Sequence, residues 1–188
     1  MRIVAGTHRG RTLLGPRGRG LRPTADRVRE SLFNLLGQSF EGGTVLDLYA
    51  GTGALAFEAL SRGMTAAVLV DSGAESERLV EANARALGFE PRVTFLRMPV
   101  ERALIRLGSE RRRFELVFAD PPYASGASAG LVEAVGSAGV LAPGGILCLE
   151  RGHREPSPPG VPGLTAVDQR RFGDTVVSLF RADAARDG

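Results

Sequence analysis

The sequence predicts an α/β fold in which a mostly parallel sheet is covered by helices on both faces. From residue 44 onwards, short apolar runs of strand length alternate with amphipathic stretches of helical length. Such alternation is typical of parallel strands joined by crossover helices. The predicted strands are residues 44–48, 66–71, 93–96, 115–120 and 145–150, and the predicted helices are residues 54–62, 74–87, 99–107 and 127–138.

The C-terminal part of the chain departs from this alternation. Residues 164–170 and 175–181 flank Phe172-Gly173-Asp174, and two strand-like runs around such a turn predict an antiparallel hairpin. The proline- and glycine-rich residues 155–163 are expected to form the loop before it. We expect the hairpin to complete the sheet.

The N-terminal part also has its own pattern. Residues 2–5 and 11–14 lie on either side of a turn and predict a small β-hairpin. Pro23-Thr24 then begins a helix whose apolar residues recur at helical spacing, as expected of a face that docks on the main body. We therefore expect a basic hairpin and helix extension over residues 1–40 and a core over residues 41–188.

The composition is that of a single globular domain. The chain has 188 residues, of which 43% are hydrophobic and 24% charged, a balance that excludes disordered and membrane proteins. No apolar stretch is long enough to cross a bilayer, and the opening lacks the apolar region of a secretory signal, so we expect a cytoplasmic protein. Cys148, alone in an apolar run, predicts a buried thiol, and no disulfide or metal site is expected.

Arginines are concentrated at the N-terminus. Residues 1–30 carry eight arginines against two acids, a net charge of +6 in a chain of +3, which leaves −3 on the remainder. A basic arm on a mildly acidic body favours contact with a polyanion such as nucleic acid. The alternative is a solvated arginine surface, since all 24 basic residues are arginine, although that usage does not explain the clustering. The candidate RNA-binding residues are Arg9, Arg11, Arg17 and Arg19.

A glycine-rich turn follows the first predicted strand of the core. Its glycines allow a tight turn and let a ligand approach the backbone closely. Gly51, Gly53 and Ala56 also satisfy the dinucleotide-binding fingerprint, and Asp71 has the spacing of an acid that binds ribose hydroxyls. The fingerprint alone is weak evidence. The candidate cofactor-binding residues of this region are Asp47, Tyr49, Ala50, Gly51, Gly53 and Asp71.

Asp47, just ahead of this turn, distinguishes between two classes of cofactor. A pyrophosphate requires positive potential, which a neighbouring carboxylate would oppose. S-adenosylmethionine carries two cationic groups and no phosphate, so Asp47 favours this methyl donor over a dinucleotide. The alternative is that Asp47 caps the loop by accepting backbone amide bonds, and both roles are compatible.

A second motif, Asp120-Pro121-Pro122-Tyr123, follows a buried apolar strand. Two prolines fix the backbone and contribute no amide hydrogens, so the carbonyls and the Asp120 carboxylate present acceptors to a cleft. An exocyclic amine of a base has two hydrogens to donate, and Tyr123 offers a flat face for stacking. The four residues predict an amine-methylating pocket. The alternative, a tight turn with an aromatic plug, leaves the acid unexplained.

Three segments of the chain occur together in one known family. They are Leu21-Arg22-Pro23-Thr24-Ala25-Asp26-Arg27-Val28-Arg29-Glu30, Leu46-Asp47-Leu48-Tyr49-Ala50-Gly51-Thr52-Gly53 and Asp120-Pro121-Pro122-Tyr123. With the opening Arg9-Gly10-Arg11, this combination resembles the RsmD family of bacterial 16S ribosomal RNA guanine-N2 methyltransferases, from residue 1 to about residue 181. The glycine loop is shared by many methyltransferases, whereas its combination with the other two segments is much more specific.

The resemblance implies a class I (Rossmann-like) methyltransferase core with seven strands, S-adenosylmethionine as cofactor and 16S ribosomal RNA or the small subunit as partner. It assigns Asp120 to Tyr123 to the target guanine amine. It also implies that Arg22, Pro23 and Thr24 lie near the methionine end of the cofactor. Where the family often carries an acid or amide after the third strand, this chain has Arg97-Met98-Pro99, so the adenine contact stays unassigned.

Several other functions are compatible with parts of the pattern. Enzymes that methylate adenine N6 in nucleic acid or a protein glutamine usually carry asparagine at the position of Asp120, so the aspartate favours guanine. A non-enzymatic RNA-binding protein would not require Asp47, Asp71 and Asp120 together. An NAD-dependent enzyme is disfavoured by Asp47. A monomer is expected.

Overall fold

The computed structural model describes residues 1–16, 23–122 and 127–184, with the side chains of residues 23–27 and 127 excepted. The helices are α1 (Pro23–Leu36), α2 (Ala54–Ser61), α3 (Ala74–Leu87), α4 (Val100–Ser109) and α5 (Ala127–Ala138). The strands are β1 (Thr44–Leu48), β2 (Ala66–Asp71), β3 (Val93–Arg97), β4 (Phe114–Ala119), β5 (Leu141–Gly152), β6 (Leu164–Phe172) and β7 (Thr175–Ala182).

The strands form one seven-stranded sheet in the order β3-β2-β1-β4-β5-β7-β6. The first five strands are mutually parallel, while β7 runs antiparallel to both β5 and β6. The predicted parallel sheet with a C-terminal antiparallel hairpin is therefore confirmed.

The fifth strand starts earlier than predicted, at Leu141 instead of residue 145. Pro143-Gly144-Gly145 has the composition of a turn, but the chain forms a bulge there: Phe114 pairs with Leu141, and Leu116 pairs with Ile146. A Cβ on Gly145 would lie 2.9 Å from the carbonyl oxygen of Phe114. Glycine at this position thus allows close contact between two backbones.

Each face of the sheet supports its own hydrophobic cluster. On one face, α1, α2 and α3 pack over alternate residues of the strands, including Val45, Phe118 and Cys148. On the other face, α4 and α5 pack over the intervening residues, such as Leu48 and Ala119. The apolar runs of the central strands are explained by this burial on both sides. The Cys148 thiol is buried as predicted, and burial raises its pKa.

The N-terminal hairpin is confirmed as antiparallel pairing, although its ladder is short. Arg2 and Thr12 form one isolated bridge, and the Ile3 N–H donates to the Arg11 carbonyl at 3.0 Å. The ladder stops because the Val4 and Ala5 amides donate to a helix side chain instead of to the opposite strand.

That acceptor is Glu58 of α2, which is fully buried. Its carboxylate accepts the Val4 N–H at 2.8 Å, the Ala5 N–H at 2.9 Å and the Arg62 Nε at 2.8 Å. Ser61 Oγ, one turn further along α2, donates to the Ala5 carbonyl at 2.6 Å. The hairpin is thus attached to the helix that follows the glycine-rich turn.

The extension and the core share one hydrophobic cluster, since Ile3, Leu13, Leu32 and Phe33 are buried together with residues of the sheet. The predicted boundary near residue 40 stays a prediction. Among the described helices, none has the length and apolar character to cross a membrane.

Candidate active site

The sheet topology creates a crevice at the carboxyl ends of β1 and β4. The chain passes from β1 to β2 through α2 on one face, and from β3 to β4 through α4 on the other. β1 and β4 are parallel neighbours in the sheet, and successive strands are added outwards in opposite directions on either side of this pair. In open α/β sheets, ligands bind outside the strands at such a point.

The glycine-rich turn after β1 holds an unusual backbone. Tyr49 has φ 61°, and Gly51 and Gly53 have φ 54° and 77°. The left-handed region is costly for tyrosine, and residues held there cluster at functional sites. A Cβ on Gly53 would lie 2.6 Å from the Phe57 ring, whereas a Cβ on Gly51 would meet nothing closer than 4.0 Å. Gly53 is required for packing, and the space over Gly51 leaves its backbone accessible.

Asp47 is 3% exposed beneath this turn. Its Oδ2 accepts the Ala56 N–H at 3.2 Å, as expected of a residue that caps the loop. Burial raises the pKa of Asp47 well above its usual range; the Ala56 hydrogen bond opposes the shift, and the charges of Asp120, Glu150 and Asp71 add to it. A cation placed here would stabilise the ionised form, so capping and cation recognition are compatible.

Asp71, the last residue of β2, hydrogen-bonds to the glycine-rich turn that follows the neighbouring strand β1. Its Oδ2 accepts the Gly51 N–H at 2.9 Å, and its Oδ1 accepts the Gly73 N–H at 2.8 Å. Each carboxylate oxygen keeps a further lone pair, so the predicted contact with ribose hydroxyls is compatible with these hydrogen bonds. The Ala50 N–H donates to the Val70 carbonyl at 3.0 Å and extends the strand pairing into the turn.

Asp120 and Pro121-Pro122 lie at the end of β4, next to the turn after β1. Asp120 is exposed to the crevice, Pro121 is buried and Pro122 is exposed. Partial desolvation by the surrounding protein raises the pKa of Asp120 even though the residue reaches solvent. The predicted stacking residue Tyr123 lies outside the described residues.

The N-terminal candidates are only partly described. Arg17, Arg19 and Arg22 lie outside the described residues, and the backbone of Thr24 belongs to the first turn of α1. The structure exposes Arg9 and Arg11 at the hairpin.

Arg29 differs from this exposed arm, although it contributes to the basic N-terminal charge. It is only 5% exposed, its Nη2 donates to the Arg2 carbonyl, and its Nε lies 3.7 Å from Glu58. A polyanion cannot reach this guanidinium, because α1 packs it against α2. The exposed basic surface therefore does not extend to Arg29.

One acid of the crevice was missed by the sequence analysis. Glu150 lies near the end of β5, beside Asp120, and is partly buried. Burial, together with the charge of Asp120, raises the pKa of Glu150 to about 7, and the Arg29 guanidinium opposes the shift. The available signal was an acid after an apolar strand, the same pattern that singled out Asp120.

Asn83 of α3 was also missed, and it is fully buried. Its Nδ2 donates to the Thr52 carbonyl at 3.1 Å and to the Leu14 carbonyl at 3.1 Å, and its Oδ1 accepts the Leu14 N–H at 2.7 Å. One side chain thus joins the N-terminal segment to the glycine-rich turn.

The chain matches the protein family described as conserved hypothetical protein 95 over residues 1–181. Ribosomal RNA small subunit methyltransferase D of Escherichia coli K12 is 33% identical over 186 residues, which cover 98% of this chain and 91% of that protein. The chain belongs to the RsmD family. Another relative of this chain, the putative rRNA methyltransferase YlbH of Bacillus subtilis, is 33% identical over 181 residues, covering 96% of this chain and 98% of that protein.

Solved structures share the fold of this RsmD-family chain. A putative methyltransferase from Escherichia coli, yhhF, has a TM-score of 0.82 and 29% identity, with 98% of each chain covered. A hypothetical protein of Thermus thermophilus has a TM-score of 0.81 and 32% identity, covering 95% of this chain and 98% of that one. The class I methyltransferase fold expected from the sequence is confirmed.

Proposed function

We propose that this chain transfers a methyl group from S-adenosylmethionine to the exocyclic N2 amine of a guanine in 16S ribosomal RNA. The observation that carries the proposal is the meeting of a glycine-rich turn, Asp47 and Asp120 at one crevice in a member of the RsmD family. The relative from Escherichia coli is named ribosomal RNA small subunit methyltransferase D, and that from Bacillus subtilis a putative rRNA methyltransferase.

The residues at the crevice fit a cationic methyl donor. Asp47 is a buried acid whose pKa a nearby cation would lower. The Gly51 backbone is open to a ligand, and Asp71 stands at the end of β2 with free lone pairs for ribose hydroxyls. When bound, S-adenosylmethionine supplies an electrophilic methyl group on a sulfonium sulfur. Asp47, Gly51 and Asp71 would hold the donor next to the end of β4, where Asp120 lies.

Asp120 faces the same crevice from β4 and would accept a hydrogen bond from the target amine. The two prolines after it offer carbonyl acceptors without competing N–H groups. An amine held by these acceptors directs its lone pair at the methyl carbon, and alignment of this kind lowers the barrier by roughly 7 to 11 kcal/mol. Tyr123 would stack on the extruded guanine ring.

The exposed Arg9 and Arg11, together with Arg17 and Arg19, would bind phosphates of the RNA. We propose 16S RNA or the small subunit and its assembly intermediates as the partner, with the protein acting as a monomer in the cytoplasm. The aspartate form of the motif favours guanine over the adenine and glutamine alternatives.

The experiment is single-turnover methyl transfer from labelled donor to 16S RNA and to small-subunit particles, followed by mass mapping of the modified nucleotide. We expect one N2-methylguanine. Methylation of adenine or of protein would replace the proposed substrate with one of the alternatives. Donor binding without any transfer would favour a non-enzymatic RNA-binding protein, and binding of NADH in place of the methyl donor would remove the cofactor assignment.

A further inference from the structure

Glu150 stands beside Asp120 on the adjacent strand. Ala119 of β4 pairs directly with Leu149 of β5, so Asp120 and Glu150 follow as neighbours. Ala119 and Leu149 face the cluster of α4 and α5. Because side chains alternate along strands, the next residue on each points to the opposite face, over which α1 and α2 pack. The two carboxyl groups therefore share one face.

The groups around this pair come from several elements. Asp47 lies on β1, and Arg29 reaches the region from α1 with Glu58 of α2 at 3.7 Å from its Nε. Opposite Glu150, β7 places the apolar Val177 and adds no charge. The region thus holds several carboxyl groups and the guanidinium of Arg29. Burial, and after it the charge of Asp120, raises the pKa of Glu150 to about 7.

Methyl transfer changes the charge at this place in a defined way. A sulfonium cation becomes a neutral thioether, and the methylated amine must lose one proton. A pair of carboxyl groups that is ionised beside the sulfonium and singly protonated beside the thioether would keep the net charge constant. Constant net charge matters in a partly buried site, because an uncompensated charge there is costly.

We propose that Glu150 acts with Asp120 as a two-carboxyl acceptor of the proton that leaves the guanine amine after methylation. This inference rests on the function proposed above. Asp120 takes the proton from the amine, and Glu150 acts only through Asp120, as a positioning residue that shares this proton.

Atoms and electrons balance in this step. The lone pair of the amine nitrogen forms the N–C bond while the C–S bond of the donor breaks, and that electron pair stays on sulfur. The nitrogen now carries a positive charge and two hydrogens. One N–H bond breaks, its electron pair returns to nitrogen, and the proton moves to Asp120 and on to Glu150. One positive charge is lost at sulfur, and one proton is gained by the pair.

The first test is the pH dependence of single-turnover methyl transfer with saturating donor between about pH 5.5 and 9. The wild-type rate should rise with pH as the pair ionises. Glu150→Gln should lower the plateau rate by roughly a hundredfold, the lower end of what positioned proton transfer contributes. Its midpoint should also shift to lower pH, because the Glu150 charge no longer acts on Asp120. Glu133→Gln, an exposed glutamate of α5, is the matched control and should change neither value.

The second test needs no methyl transfer. Calorimetry in buffers of different ionisation enthalpy counts the protons released when a ligand binds. Wild-type protein near neutral pH should release more protons with S-adenosylmethionine than with S-adenosylhomocysteine, because only the former carries the sulfonium charge. Glu150→Gln should lose most of this difference, and Glu150→Asp, which keeps a carboxyl group, should retain it.

The inference is overturned if Glu150→Gln keeps either the wild-type plateau or the wild-type midpoint, or if it keeps the difference in proton release. Failure of the wild-type protein to methylate RNA would instead contradict the proposed function. The calorimetric comparison still tests the charge of the pair in that case.

Discussion

Asn83 hydrogen-bonds to both backbone polar groups of Leu14, 69 residues earlier in the sequence. The same side-chain nitrogen also donates to Thr52 in the glycine-rich turn. The last residue of the basic hairpin is therefore held directly against the turn proposed to bind the methyl donor.

Asn83→Ala should weaken both the fold and donor binding. The substitution removes the partner of backbone groups of Leu14 and Thr52, at contacts that are only partly buried, so the loss at each group should not exceed about 1 to 3 kcal/mol. Urea unfolding measures the first effect, and calorimetric titration with S-adenosylmethionine measures the second. Asn34→Ala on the exposed side of α1 is the control. Wild-type donor affinity in the Asn83 variant would show that the turn keeps its shape without this side chain.

The stability of the protein should depend on the charge state of Glu150. Its pKa rises from an ordinary value of 4.5 to about 7 in the folded chain, so the folded state holds the proton more tightly than the unfolded state does. Stability from this group is present at low pH and is lost as the pH rises through the folded pKa. We expect Glu150→Gln to gain stability over wild type between about pH 5 and 8, by at most about 3 kcal/mol.

Urea unfolding of both proteins across this range is the measurement, with Glu133→Gln again as control. A constant difference in unfolding free energy between wild type and Glu150→Gln would mean that Glu150 titrates near its ordinary value in the folded protein.

Asp120→Ala should abolish methyl transfer while leaving donor binding nearly intact, because the proposed role of Asp120 is to aim the amine. Tyr123→Phe should keep much of the activity, whereas Tyr123→Ala should lose roughly 1 to 3 kcal/mol of base stacking. Single-turnover transfer and donor titration separate the two effects. Equal inactivity of the phenylalanine and alanine variants would indicate chemistry at the hydroxyl and contradict the stacking role.

Replacing Arg9, Arg11, Arg17 and Arg19 together should flatten the salt dependence of RNA binding. Each arginine that neutralises a phosphate releases counterions, so the slope of log affinity against log salt reports the number of contacts. Replacing Arg111, Arg112 and Arg113, exposed residues between α4 and β4, provides a control of similar charge. An unchanged slope in the first variant would assign those four arginines to a solvated surface.

The helices and strands of the core could be predicted because the residue pattern within each segment determines them. Apolar runs that are buried on both faces mark the central strands, and the turn between β6 and β7 has the composition of a hairpin. The beginning of β5 could not be predicted, because Pro143-Gly144-Gly145 in a bulge has the same composition as a true turn. The left-handed backbone conformation of Tyr49 could not be predicted either, since tyrosine seldom adopts it.

The site could be predicted where a motif keeps its residues close in sequence. Asp47, Gly51 and Gly53 fall within seven residues of one another, and Asp71 follows at a recognisable spacing. Glu58 and Asn83 carry no such signal. A polar residue on a helix usually faces solvent, and only the docking of a distant segment explains why these two are buried.

The attachment of the hairpin to α2 also bears on the order in which the chain can be completed. Val4 lies 54 residues before its acceptor Glu58, and Leu14 lies 69 residues before Asn83. During synthesis the N-terminal segment leaves the ribosome first, but the side chains that hold it emerge much later. The arginines at the hairpin therefore cannot reach their final arrangement before α2 and α3 have formed. A nascent chain would acquire the complete basic surface proposed to bind RNA only after the half of the sheet proposed to bind the methyl donor has folded.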